Sequence, residues 1–202
     1  MAVKRSTGHR QRQAEATKRE VAQVARALFA EHGYVATTIS AISAEADIPV
    51  QTIYSAFGSK AKILEKITEL WMSETQTPSR AAAYLQEQDP ARQLRMLAEL
   101  NRHQMQAGAD VAAIYQEAAA SDPQMAETMR NVLATREREI RKLIDALAPR
   151  LRPELTVGTA LDLTLALTLP DLFHLLVVER GWSPARYETW LADTLVSQLL
   201  RD

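Results

Sequence analysis

The sequence predicts an all-α protein, and three observations predict it. Ala, Leu, Glu, Arg and Gln dominate a chain of 202 residues that holds only six glycines and eight prolines, a composition that favours helix. No long alternating Val/Ile/Thr run bounded by hairpin turns is present, so strands have no sequence signal. Apolar residues instead recur at helical spacing between clear breakers. With 47% apolar and 24% charged residues, the balance is that of a core-forming chain.

The elements follow in order. Met1 to Ala16 shows no apolar periodicity and is rich in Arg and Gln, so it reads as a flexible basic arm, with Arg5, Arg10 and Arg12 available to a minor groove. Val21, Val24, Ala25, Leu28 and Phe29 then form one stripe at i, i+3, i+4, i+7, i+8, the mark of a helix packed on one face. Gly33 ends that helix with a left-handed cap, and Tyr34 folds back on its last turn. Thr37 or Thr38 supplies the next N-cap. Ile39 and Ile42 give the short helix that follows a buried face, Ser43 and Ala46 permit a close crossing, and Asp47 occupies a turn that wants a left-handed residue. Pro49 opens the next helix, where its missing N–H costs nothing.

On a helical wheel, Val50 to Phe57 turn Ile53 and Phe57 inward with Ala56 beside them, while Gln51 and Ser55 point outward and Thr52 and Tyr54 flank them. That arrangement suits a recognition helix in a major groove, with central polar groups on base edges and flanking hydroxyls on the sugar-phosphate walls. Gln51 can pair with adenine, Ser55 is permissive, and Val50 can touch a thymine methyl. Lys60 and Lys62 lie in the first turn of a helix capped by Ser59, where the macrodipole disfavours cations unless a phosphate docks there.

Beyond Ser59 the breakers Pro78, Pro90, Gly108, Asp122-Pro123, Pro149, Pro153, Gly158, Gly181 and Pro184 divide the chain into helices near 60–76, 91–107, 110–120, 123–148, 154–180 and 184–200. Three parts result: 1–16 as the arm, 17–60 as the DNA-reading domain, and 61–202 as a larger helical domain.

Charge is distributed to match. Up to Lys62 there are nine basic residues against five acidic ones, and the remainder holds 15 against 20; a basic end on an acidic body faces a polyanion. The absence of cysteine removes disulfides, thiolate metal sites and cysteine nucleophiles, and agrees with a reducing cytoplasm. The N-terminus lacks the apolar core of a secretory signal. The longest apolar stretch, Leu155 to Val178, carries Asp162, Asp171 and His174 and is broken by Pro170, which makes it a buried helix rather than a bilayer span. His9, His32, His103 and His174 belong to no catalytic or metal-binding motif, and no Gly-rich phosphate loop is present; no catalytic residue, metal or cofactor is expected.

Ala27-Leu28-Phe29, His32-Gly33-Tyr34, Thr37-Thr38-Ile39 with Ile42, and Thr52-Ile53-Tyr54 with Phe57, Ser59-Lys60 and Ile63-Leu64 together resemble the N-terminal signature of the TetR family of bacterial transcriptional regulators, from Lys18 to Ile67. The resemblance implies a three-helix helix-turn-helix domain followed by a C-terminal helical domain for ligand binding and dimerisation, and repression relieved by a small molecule. It implies that Thr38, Thr52, Tyr54 and Lys60 contact phosphates while Val50, Gln51 and Ser55 face bases. Asp47 stands where the family usually has Gly, and Ser43 where it usually has Ala.

A two-fold dimer doubles the base contacts of a helix-turn-helix. Its surface is expected on the last two helices, at Phe173, Leu176, Val177, Trp190, Leu191, Thr194 and Leu195. An apolar effector pocket is expected among Trp71, Met96, Met105, Tyr115, Met125, Met129 and Phe173, with polar contacts from Asn101, His103, Thr164 and His174. The partners so implied are a double-stranded DNA operator, a second copy of the chain and a small molecule, with no membrane. The alternative is a helical small-molecule-binding or scaffold protein without DNA recognition.

Overall fold

In the computed structural model, residues 3–201 are described, with side chains from residue 9 onward, and every named element is helical: α1 Val3–His32, α2 Ile39–Ala46, α3 Val50–Phe57, α4 Lys60–Glu74, α5 Thr77–Gln86, α6 Pro90–Ser121, α7 Pro123–Leu147, α8 Val157–Leu167, α9 Pro170–Phe173 and α10 Pro184–Leu199. The chain divides into two compact units, one made of residues up to Leu70 with Asp110–Met129, the other of Trp71–Ala109 with Arg130 onward.

In the first unit, α1 is longer than the stripe of Val21 to Phe29 implies. The stretch to Ala16, expected to be a flexible arm, is helical from Val3; Met1, Ala2 and the Arg5 side chain lie outside the described residues. Arg, Gln, Ala and Glu are strong helix formers even without an apolar face. Glu15 ties this extension to α4, 3.1 Å from the Lys66 ammonium, which also meets Glu69 at 2.9 Å. Val21, Ala22, Ala25 and Phe29 of α1 are fully buried, as are Ile42, Ile53, Ile63, Leu64 and Ile67 of the helices that follow. Gly33 closes α1 at φ +85°, and the Tyr34 ring lies 5.1 Å from that of Phe29. The α6 segment of this unit meets α1 through Asp110, whose carboxylate accepts from Arg26 at 2.6 and 2.7 Å.

The second unit is built around Leu94, Leu97, Ala98, Ile140, Leu143, Ile144, Leu147, Leu161, Tyr187, Leu191, Leu195 and Leu199. Two features here depart from the sequence expectations. A helix, α5, occupies Thr77–Gln86, where Pro78 reads as a stop; the proline lies in the first turn, where no N–H is needed, and so starts the helix. The single helix expected over 154–180 is broken: α8 ends at Leu167, Leu169 is extended (φ −64°, ψ 141°), and Pro170 begins α9, which runs into a π-helical stretch His174–Glu179. Proline removes a helical hydrogen bond and pushes its predecessor out of the helical region. Among the described residues no single helix is long and apolar enough to cross a membrane; the pair Val157–Leu167 and Pro170–Glu179 reaches that length only across a 46° bend, and buries Ala160, Leu161 and Phe173 in the core.

Candidate nucleic-acid interface

The two short helices of the first unit are set by local chemistry. Thr38 is extended (φ −101°, ψ 158°) and its hydroxyl oxygen accepts from the Ala41 N–H at 3.1 Å, the N-cap that the sequence predicts. Ile42 and Ala46 turn α2 inward. Asp47 then takes the left-handed conformation at φ 51°, which costs a residue with a Cβ more than it costs glycine. Ser43 reinforces that turn: its carbonyl accepts from the Ile48 N–H at 3.2 Å, and its hydroxyl donates to the Ile48 carbonyl at 2.6 Å. The two departures from the family pattern therefore act at one place. Asp47→Gly is expected to stabilise the chain by roughly 0.5–1 kcal/mol, the left-handed penalty less the extra entropy of glycine. Ser43→Ala should cost about 1 kcal/mol, the value of a partly buried hydrogen bond; urea midpoints of the two variants check both signs.

Pro49 caps α3 rather than lying inside it, its carbonyl accepting from Thr52 and Ile53. Along α3, Ile53 is fully buried while Gln51, Thr52 and Ser55 are exposed and Tyr54 keeps 48% of its surface. Val50, Ala56 and Phe57 are half-buried. One anchored apolar residue thus holds a helix whose opposite edge carries an amide, two hydroxyls and a phenol. The Ser55 hydroxyl donates to the Gln51 carbonyl at 2.8 Å, so in this rotamer it offers its oxygen as an acceptor. Gly58 ends α3 at φ +76°, and the Ser59 hydroxyl caps α4 by accepting from the Lys62 N–H.

Lys60 is held more tightly than a free phosphate clamp. Its ammonium donates to the carbonyls of Tyr34 at 2.6 Å and Thr37 at 3.0 Å, and lies 4.2 Å from the centre of the Tyr34 ring. Burial holds its pKa below the usual lysine value, against the pull of Glu117 and Asp122. The same turn is gripped from α6, where the Glu117 carboxylate accepts from the N–H groups of Tyr34 and Val35. Lys62 is paired with Glu65 at 2.7 Å.

The residues expected around an effector are divided between the units. Tyr115 and Met125 are buried and Met129 half-buried in the first; Trp71, Met96, Asn101, His103, Met105, Thr164, Phe173 and His174 belong to the second. Of these the second unit joins Asn101 to Phe173 through residues that sequence reasoning missed. The Tyr187 hydroxyl donates to the Asn101 side-chain carbonyl at 2.9 Å, the Asn101 amide donates to the Thr168 carbonyl at 3.1 Å, and the Phe173 ring packs edge-on against Tyr187 at 5.0 Å. Thr164 accepts from the Thr168 hydroxyl through its backbone. Met105 is buried and Met96 half-buried against the same core. Trp71 donates from its indole to the Gln104 carbonyl at 3.0 Å. His103 lies beside Arg102 and Glu99, its pKa pulled down by burial and by Arg102, and His174 is exposed. Hollows of about 390 and 460 Å³ open beside α1 and α4, lined largely by charged side chains such as Arg12, Glu15, Lys62 and Lys66; they gather none of the expected effector residues.

Three residues expected at a dimer surface, Phe173, Leu191 and Leu195, are core of a single chain. Helical spacing marks an apolar stripe without telling which neighbour covers it. Leu176, Val177, Trp190 and Thr194 are half-buried, and Leu169, Leu175 and Val178 expose apolar surface nearby in sequence.

Residues 22–67 match the family model described as bacterial regulatory proteins, tetR family. A comparison with curated proteins finds no match. Solved structures match over nearly the whole chain. NalD of Pseudomonas aeruginosa, the secondary repressor of the MexAB-OprM multidrug efflux pump, is similar at TM-score 0.77 and 21% identity, covering 95% of this chain and 99% of its own. SmeT in complex with triclosan is similar at TM-score 0.74 and 18% identity, covering 93% of each chain. The fatty acid degradation regulator FadR of Bacillus halodurans is similar at TM-score 0.73 and 17% identity, covering 89% of this chain and 94% of its own. Residues 22–67 thus resemble the N-terminal domain of tetR-family regulators, and the chain as a whole shares its fold with these solved structures.

Proposed function

We propose that this chain is a DNA-binding transcriptional repressor that reads a palindromic operator as a homodimer in the cytoplasm, and that a small molecule bound in its larger helical part releases it. The observation that carries the reading is the uncovered edge of α3, where Gln51, Thr52, Tyr54 and Ser55 are exposed above a fully buried Ile53. In this reading Val50, Gln51 and Ser55 meet base edges in the major groove, and Thr38, Thr52 and Tyr54 meet phosphates. Lys60 adds positive charge at the phosphate wall while holding the turn that leads into α2. Three solved proteins of the same fold are named as a repressor, as a regulator, or with a bound small molecule, which supports the repressor and effector parts. Dimerisation is supported by the need of a helix-turn-helix for two half-sites.

The test separates readers of sequence from holders of backbone. Gln51→Ala is expected to relax the preference at one base position by roughly tenfold, the value of a bidentate side-chain contact of about 1–3 kcal/mol. Tyr54→Phe should weaken every DNA sequence alike, because a phosphate contact carries no base information. Equal loss at all sequences for Gln51→Ala would remove its base-reading role. Binding that ignores salt would favour a scaffold without DNA recognition, since phosphate contacts release counterions.

A further inference from the structure

The second unit contains a half-buried guanidinium with no acidic partner. Arg136 of α7 donates from Nη2 to the carbonyl and the hydroxyl of Thr168, at 2.9 and 2.5 Å. No carboxylate pairs with it among the described residues, whereas Arg102 and Arg80 of the same unit meet Glu188 and Glu99 at 2.7 and 2.8 Å. Burial pulls its pKa below the ordinary arginine value. Thr168 is the C-cap of α8, so Nη2 complements the negative end of a helix. A helix end, however, supplies only about half an elementary charge, and it occupies one of three nitrogens.

The other two nitrogens decide the matter. Among the described residues Nε and Nη1 bond no protein atom, yet neither is sealed from solvent as the unpaired Arg80 Nε is. They therefore face space that a ligand or water can reach. Around them, the Asn101, Thr168 and Tyr187 network fixes the floor. Val132 and Leu133, one turn before Arg136 on the same helix, are 41% and 46% exposed, and Leu169, next to Thr168, is 43% exposed. Residues three and four apart share a helix face, so a charged head and an apolar rim lie side by side.

We propose that Arg136 anchors an anionic effector, an organic acid whose carboxylate accepts from Nε and Nη1 while its hydrocarbon body lies along Val132, Leu133 and Leu169. This rests on the reading of the larger helical part as effector-binding and names the chemical class that it takes. Charge-assisted hydrogen bonds to a partly buried guanidinium are the strong kind, and the acid supplies the counter-charge that no described carboxylate provides.

Matched probes test it by calorimetric titration of the full chain: decanoate against decanol, and phenylbutyrate against phenylbutanol. At least one acid should bind about tenfold or more tightly than its alcohol. Arg136→Gln should abolish that preference while leaving the affinity for the alcohol, and Arg136→Lys should retain part of it; if Arg136→Gln fails to fold, the wild-type comparison and the lysine variant still decide. The proposal is overturned if no acid binds the wild-type chain, if acid and alcohol bind equally in both pairs, or if the preference survives in Arg136→Gln. DNA binding is measured on the same preparations without probe. A chain that binds its DNA site but ignores the acids refutes this inference alone, and one that prefers the acids but binds no DNA refutes the regulator reading alone.

Discussion

Gly108→Ala is expected to destabilise the protein by about 2–3 kcal/mol, the upper part of the range for forcing an atom into a packed site. A Cβ at residue 108 would lie 2.2 Å from the Trp71 indole nitrogen and 2.5 Å from its Cδ1. The indole cannot simply swing aside, because its N–H donates to the Gln104 carbonyl at 3.0 Å. That carbonyl is the one that a regular helix would present to residue 108, but α6 departs from helical geometry at Gly108 (φ −159°, ψ 33°). The glycine is thus required by the ring that lies on it. Trp71→Leu alone should also be destabilising, through lost packing and the lost hydrogen bond, yet it should cost much less when Gly108 is already alanine. A double-mutant cycle by urea unfolding reads the coupling; additive losses would show that crowding against Trp71 is not the cause.

Lys60→Met should cost about 2 kcal/mol of stability and weaken binding to every DNA sequence. The ammonium is the partner of the Tyr34 and Thr37 carbonyls, and hydrogen bonds to charged groups are worth roughly 1.5–3 kcal/mol. Thr38, the cap of α2 and a proposed phosphate contact, follows directly, so the loss reaches the DNA surface through the turn. Salt dependence separates the two ways of acting. If Lys60 held a phosphate, its removal would lower the salt slope by about one; if it only positions the turn, affinity falls at an unchanged slope. The pH response has a definite sign. Because its folded pKa lies below 10.5, the unfolded chain holds more protons between that lowered value and 10.5. The Lys60 contribution to stability therefore rises with pH across this window, and Lys60→Met should lack that rise when urea midpoints are compared at alkaline pH.

Much of the fold was legible because its signals are local. The stripe from Val21 to Phe29, the glycine after His32, the threonine cap of α2 and the left-handed Asp47 each depend on neighbours within one or two turns, and each is found where the residues place it. The outward edge of α3 was legible for the same reason, since an eight-residue helix with a buried Ile53 has one opposite side. What escaped depends on partners far along the chain. The helicity of α1 before Ala16 involves Lys66, some fifty residues away, and Lys60 is captured by carbonyls 23 and 26 residues earlier. Pro78 reads as a stop and Pro170 falls inside a helix expected over 154–180, yet Pro78 starts a helix and Pro170 splits one, a difference that the φ-locked ring alone does not encode. The apolar spacing of Leu191 and Leu195 fits an interface as well as a core, and only their burial in one cluster with residues as distant as Tyr84, Leu94 and Leu143 assigns them to the core.

The exposed edge of α3 is tested most directly by selecting bound sites from a random pool of double-stranded DNA with the wild-type chain. An inverted repeat should emerge whose half-sites lie about 34–36 Å apart, one turn of the duplex or a multiple of it, and whose central bases change in the Gln51→Ala selection. A pool that shows no enrichment, or an enriched site indifferent to Gln51, would contradict the assignment of α3 as the element that reads DNA.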